Sequence, residues 1–164
     1  MPENNRLYQI LIVDDLAENI EILGTILRKN NYRVAVALNG EGAIEIAKSI
    51  KPDLILLDIS MPVMDGFTVC RILKNEESTS GIPIIFLSAS NEVDDVVTGL
   101  TLGAVDYITK PFKPSELLIR IKTHLTIKRL QRELENANQT LEKKVEERTR
   151  ELQAAKEKAE SSDR

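Results

Sequence analysis

One cysteine and one histidine make up all the thiol and imidazole chemistry this chain could offer a metal. Cys70 alone excludes an internal disulfide and a cysteine-based zinc site. It falls among apolar residues at helical spacing, which reads as a small core side chain. His124 has no second histidine to share a metal with, so a surface or packing role is expected. No apolar run approaches the roughly 18 residues that would span a membrane. The N-terminus has no basic stretch leading into a long apolar one, so no signal peptide is expected. Nor is there an excess of positive charge, with 22 Lys and Arg against 26 Asp and Glu. That balance gives no electrostatic ground for nucleic acid or an anionic membrane as partner. The expectation is a cytoplasmic chain that binds neither.

With 164 residues there is enough for one substantial core and something extra. Up to about residue 125, short apolar runs alternate with helical patterns. Strands are expected over residues 7–13, 32–37, 54–58, 82–87 and 106–109. Helices are expected over about 17–30, 42–50, 67–74 and 93–102, with Ile20, Leu23 and Leu27 at helical spacing in the first. Continuous Ile, Leu and Val runs are typical of parallel strands buried on both faces. Five of them alternating with helices imply a doubly wound α/β sheet, with the flavodoxin-like order 2-1-3-4-5 as the expected topology.

From Pro114 onward the texture changes, and no Gly, Pro or aromatic residue follows it. Proline suits the first helical turn, where its missing N–H would be unpaired anyway. Apolar or small residues recur at Ile127, Leu130, Leu134, Ala137, Leu141, Val145, Leu152, Ala155 and Ala159, with Arg148 interrupting the series. This is a heptad pattern with one stutter. Residues 127–164 hold 10 basic and 9 acidic side chains, so the net negative charge belongs to the preceding part. A helix from about 114 to 160 would be roughly 70 Å long at about 1.5 Å per residue. The division expected is a globular domain over 1–126, then a coiled-coil helix over 127–164 continuous with its last helix. A parallel homodimer is expected through that stripe; the alternative is a solvated, fraying tail.

Three carboxylates stand at matching strand ends: Asp14 and Asp15 after Ile10–Val13, and Asp58 after Leu54–Leu57. Neighbouring parallel strands bring their carboxyl ends to one edge, where open α/β sheets bind ligands. Carboxylates crowded there repel one another unless a cation is present. All-oxygen ligands suit a hard ion, Mg²⁺ with Mn²⁺ as a substitute. Each Asp could instead simply cap the following helix, but three at matching ends favour the metal. The fourth strand ends at Leu87-Ser88-Ala89 and the fifth at Tyr107-Ile108-Thr109-Lys110-Pro111-Phe112. A carboxylate nucleophile, a divalent metal, a hydroxyl and a lysine are what phosphoryl transfer requires for positioning and charge neutralisation.

At this point the sequence resembles the receiver domain of bacterial response regulators, over residues from about 7 to 126. The resemblance rests on Asp14-Asp15, on Asp58 with Met61-Pro62-x-Met64-Asp65-Gly66, on Ser88-Ala89, on Gly103-Ala104-x-Asp106-Tyr107, and on Lys110-Pro111-Phe112. It implies that Asp58 accepts a phosphoryl group from a histidine kinase. It also implies Mg²⁺ held by Asp15, Asp58 and the Ser60 backbone carbonyl, with Asp14 acting through water. Lys110 would pair with phosphoryl oxygens, Ser88 would turn its hydroxyl toward them, and Tyr107 would move inward as the switch aromatic. The Lys110–Pro111 bond resembles one that is cis in this family, X-Pro being where cis is cheap. Ser60 and Ser90 stand where this family tunes the lifetime of the aspartyl phosphate. The stretch Val145-Glu146-Glu147-Arg148-Thr149-x-Glu151-Leu152 resembles signalling helices that join receivers to histidine-kinase or cyclic-dinucleotide-synthesising outputs. No such output motif appears before Arg164, so either the output lies elsewhere or the coiled coil itself is the output.

Three functions compete. The first is a phosphorylation-dependent switch that promotes its own phosphorylation and dephosphorylation without being an enzyme, and transmits its state through a dimeric helix. The second is a degenerate receiver serving as a dimerisation scaffold, against which the intact acidic cluster and Lys110 count. The third is a phosphatase with an aspartyl-phosphate intermediate. The haloacid-dehalogenase type would carry a second Asp two residues after the nucleophile, where this chain has Ser60.

Overall fold

The computed structural model describes residues 6–89 and 93–162; Ser90 lies outside them. Among the described residues, five strands alternate with five helices: β1 (Gln9–Val13), α1 (Ala17–Lys29), β2 (Arg33–Ala37), α2 (Gly40–Ile50), β3 (Leu54–Asp58), α3 (Gly66–Asn75), β4 (Ile84–Ser88), α4 (Val93–Thr101), β5 (Asp106–Thr109) and α5 (Pro114–Ser162). The strands form one parallel sheet in the order β2-β1-β3-β4-β5. This is the doubly wound, flavodoxin-like order expected from the alternation.

Why the runs are continuous rather than alternating is clear from the packing. Successive strand residues point to opposite faces, and helices cover both faces. Leu11, Val13, Ile55, Leu57, Ile84 and Phe86 pack on one side with Ala43, Ala47, Val69, Cys70 and Leu73 from α2 and α3. Ile10, Ile12, Leu54, Leu56, Ile85 and Leu87 pack on the other with Leu23 and Leu27 of α1 and Leu117, Ile121 and Leu125 of α5. Burying one such side chain fully contributes about 1.5–3 kcal/mol relative to exposure. Cys70 is fully buried and free, the core residue its surroundings implied.

Differences from the expected boundaries lie at caps and turns. α2 begins at Gly40, two residues early, because Asn39 caps it and accepts the Gly42 N–H at 2.7 Å. Asp65 does the same for α3, accepting the Thr68 N–H at 2.9 Å. β4 begins only at Ile84, after Pro83, which has no N–H to give to the ladder.

The chain divides into two compact units, Met1–Leu125 and Thr126–Arg164. In the first, α5 buries Leu117, Ile121 and Leu125, one per turn. The second consists of the rest of α5. There Ile127, Leu130, Leu134, Leu141, Val145 and Leu152 are all exposed, Leu134 by 62% and Leu152 by 70%. Among the described residues, no helix is long and apolar enough to cross a membrane.

Candidate functional site

Register assembles the site. Val13 pairs with Leu57, so the residues that end these strands, Asp14 and Asp58, emerge side by side at the carboxyl edge of the sheet. Asp15 follows immediately, and ligand-capable oxygens of Asp14, Asp15 and Asp58 all lie within 4.8 Å of one another. Asp14 and Asp58 are buried, whereas Asp15 is exposed.

Asp14 is tied down on both oxygens. Oδ1 accepts the Leu16 N–H at 2.9 Å and Oδ2 accepts from Asn19 Nδ2 at 3.0 Å. Both contacts are local, to the residue before α1 and to a side chain in its first turn, so they fix Asp14 in the acidic cluster without capping the helix. Asp58 Oδ1 faces Lys110 Nζ at 3.3 Å, and the Ser60 N–H lies 3.4 Å from the same oxygen. Lys110 Nζ is also 3.7 Å from Asp14 Oδ2. One ammonium thus serves two buried carboxylates, and the local charge remains negative.

Electrostatics follow from that imbalance. Burial and the neighbouring Asp14 push the Asp58 carboxyl up to about 6, against 3.8 ordinarily, while Lys110 and the Ser60 N–H pull the other way. Such a shift marks carboxylates held together at a cost. A hard divalent cation relieves it, and the donor set of carboxylate oxygens at one open edge suits one.

The remaining residues named by the sequence lie at the same edge. Ser88 ends β4, buried, and its carbonyl accepts the Lys110 N–H at 2.8 Å. The Lys110–Pro111 peptide is cis. Ser60 is exposed two residues beyond Asp58. Tyr107 is half-buried and packs against the core cluster containing Phe86. With Ile59, Phe86, Ser88, Val96 and Leu100 it lines a cavity of about 10 Å³, room for about one water molecule.

One cluster had no counterpart in the sequence reading. Asp106, just before Tyr107, receives Arg120 Nη1 on both oxygens at 2.9 Å and lies 2.9 Å from His124 Nε2. Its Oδ1 also accepts the Tyr107 N–H at 2.8 Å. Burial alone would push the Asp106 carboxyl up. Hydrogen bonds from His124, the Tyr107 N–H and Arg120, with the Arg120 charge, outweigh it and hold the group below the usual carboxylate range. The visible signal was the four-residue spacing of Glu116, Arg120 and His124 on α5; the partner across the fold was not visible.

Comparison with known proteins bears on all of this. A sequence model of the response regulator receiver domain matches residues 10–122. The DNA-binding response regulator MtrA of Mycolicibacterium paratuberculosis is 44% identical over 117 residues, 71% of this chain and 51% of that protein. The crystal structure of a putative response regulator from Chloroflexus aurantiacus superposes with a TM-score of 0.71 at 35% identity, covering 74% of this chain and 99% of that one. The signal receiver domain of a signal transduction histidine kinase from Syntrophus aciditrophicus gives a TM-score of 0.67 at 39% identity, covering 73% and 90%.

This chain spans about half the length of the curated relatives it matches. Those relatives overturn the expectation that nucleic acid is no partner, since MtrA is named for DNA binding. The expectation rested on a net charge of −4, and charge balance speaks only for the residues it counts. The match to MtrA extends over 117 residues, about half of that protein. The chain belongs to the response regulator receiver domain family.

Proposed function

We propose that this chain is a phosphorylation switch in which Asp58 takes a phosphoryl group from a phosphohistidine of a kinase. In this step an Asp58 carboxylate oxygen forms a bond to phosphorus, the P–N bond breaks, and the departing imidazole nitrogen takes up a proton. The observation that carries the reading is the Asp58–Lys110 pair, 3.3 Å apart, inside a cluster of three carboxylates. Asp58 supplies the nucleophile. Lys110 is within reach of the charge that develops on the transferring oxygens. Asp14 and Asp15, with Asp58 and the Ser60 carbonyl, would hold Mg²⁺. The ion, when bound, supplies positive charge that lets the carboxylates and an incoming phosphoryl group share one site.

Ser88 and Tyr107 provide the response. A phosphoryl group on Asp58 adds charge and strong acceptors at the edge where Ser88 ends β4. Drawing the Ser88 hydroxyl toward it enlarges the cavity that Tyr107 lines, and the ring shifts inward. The two positions are states of one equilibrium, biased by the modification.

Two features favour what lies downstream. The name of the relative MtrA favours DNA as a partner of the whole protein. The exposed apolar stripe of α5 beyond Leu125 favours pairing of that helix with a second copy, through which the state of the receiver would be passed on. The scaffold alternative has no use for the Lys110–Asp58 pair, and the phosphatase alternative lacks its second Asp.

Acetyl phosphate with Mg²⁺, followed by intact mass, tests the reading. A single phosphate adduct on the wild type, lost in Asp58→Asn, is the expected result. No adduct on the wild type would support the scaffold, and turnover of many phosphoesters the phosphatase.

A further inference from the structure

We propose that Asp106, with Arg120 and His124, is the coupling that carries the state of the Asp58 site out of β5 and into α5. The inference rests on the phosphorylation reading above and assigns positioning roles to residues outside the carboxylate cluster. β5 is an edge strand, paired with β4 alone. Its successive residues face opposite sides of the sheet. Tyr107 packs on one side, in the cluster of Phe86. Asp106 pairs in register with Ile85, whose side chain belongs to the cluster that α5 covers. There its carboxylate takes Arg120 Nη1 on both oxygens and His124 Nε2 on one.

The link between the two faces is short and directional. Asp106 Oδ1 accepts the N–H of Tyr107 itself, at 2.8 Å. A ring movement that shifts the Tyr107 backbone therefore pulls on a carboxylate gripped by two α5 side chains. Arg120 is steadied in turn by Glu116, one helical turn back, with Nε donating at 3.3 Å. Asp106 also lines two separate spaces: the small cavity shared with Ser88 and Tyr107, and a groove of about 520 Å³ along α5. Among the described residues, no other lines both.

An exposed ion pair contributes little and transmits less. This one is part-buried: a single guanidinium nitrogen is shared between both oxygens and the imidazole meets one of them, so the charge-assisted contacts tie the carboxylate to α5 at two points. His124 sits in the last turn before Leu125, where the first compact unit ends. The clamp thus grips α5 at the point where the helix continues into the exposed stripe.

A purely structural tie would fix α5 equally in both states, and the test must separate that from coupling. The full chain is labelled with acetyl phosphate and Mg²⁺, adduct is counted by intact mass, and amide hydrogen exchange is read over residues 114–125. In the wild type, labelling changes exchange in this segment several-fold. In Arg120→Gln/His124→Leu, Asp58 labels to the same extent and residues 84–88 still respond. The labelled-to-unlabelled ratio over 114–125 falls to about one. His124→Gln, which keeps a donor for Asp106, restores most of the ratio. A double variant that exchanges faster in both states with an undiminished ratio overturns the coupling alone. Absence of any adduct on the wild type overturns the phosphorylation reading and the coupling with it.

Discussion

Gly66 is seated directly on the backbone of Asp58. A Cβ at Gly66 would overlap the Asp58 carbonyl oxygen and come within 2.9 Å of the Ile59 Cα, while the Gly66 N–H donates to the Ile59 carbonyl at 2.8 Å. The start of α3 is thus fastened against the strand end that carries the proposed phosphoacceptor. Gly66→Ala forces backbone apart from backbone, and overpacking of this kind costs about 1–3 kcal/mol. Urea denaturation is expected to show that loss. A variant as stable as the wild type would mean that α3 is free to ride away from Asp58.

Asp58 sets the pH response of the metal-free protein. Its carboxyl stands at about 6 when folded against 3.8 ordinarily, so the folded state keeps a proton that the unfolded chain releases first. Stability is therefore full below about pH 4, falls as pH rises through about 6, and is level above it. Asp58→Asn removes the ionisable group. In EDTA at neutral pH it should exceed the wild type in stability by about 1–3 kcal/mol, the upper figure being two pKa units at about 1.4 kcal/mol each. The difference should shrink toward zero near pH 4. Denaturation at three pH values decides it, and a gap that does not change with pH would mean that titration of Asp58 is not its source.

Metal should reverse that penalty. On the proposed reading, Mg²⁺ binding to the folded chain alone is expected to raise its melting temperature by mass action. Asp15→Asn removes an exposed carboxylate of the cluster, and a drop in Mg²⁺ affinity of roughly tenfold or more is expected, since even groups that only orient ligands are worth that much. Lys110→Ala should bind Mg²⁺ at least as well as the wild type, because a competing cation has gone, yet accept phosphate more slowly. Calorimetric titration of the three chains distinguishes the two effects.

The exposed stripe of α5 predicts self-association. Leu130, Leu134, Leu141, Val145 and Leu152 are each more than half exposed in a single chain. Burying each Leu in a pair is worth about 1.5–3 kcal/mol. Leu134→Glu with Leu141→Glu should give monomers by light scattering while leaving Mg²⁺ binding intact. A wild-type monomer at tens of micromolar would remove pairing from the scheme.

How much of the fold and site was legible in the sequence depends on the range of the interaction. Asp14, Asp15 and Asp58 could be placed at one edge because a buried parallel strand announces its own end, and topology does the rest. Ser88 and Lys110 followed from the same logic, whereas Tyr107 was singled out only by the resemblance to receiver domains. Helix starts were harder, since whether Gly40 belongs to a turn or a helix is decided by the Asn39 side chain. The Asp106–His124 contact links β5 to α5 across 18 residues, and nothing local to either residue encodes it. Gly66 stood in the sequence only as part of the motif after Asp58; that it leaves room for the Asp58 backbone is visible only in the packing. Partner chemistry was least legible: a net charge of −4 pointed away from nucleic acid, and the relatives named for DNA binding point the other way.

Cys70 makes α3 its own reporter. The thiol is fully buried on that helix and burial pushes its pKa up, so in the closed fold a thiol-directed reagent meets neither access nor thiolate. Such a reagent samples only molecules whose α3 has lifted, and the chain has no second cysteine to blur the signal. Because α3 begins on the backbone of Asp58, the rate of that reaction is a stopwatch for how firmly an occupant of the acidic edge holds the helix down.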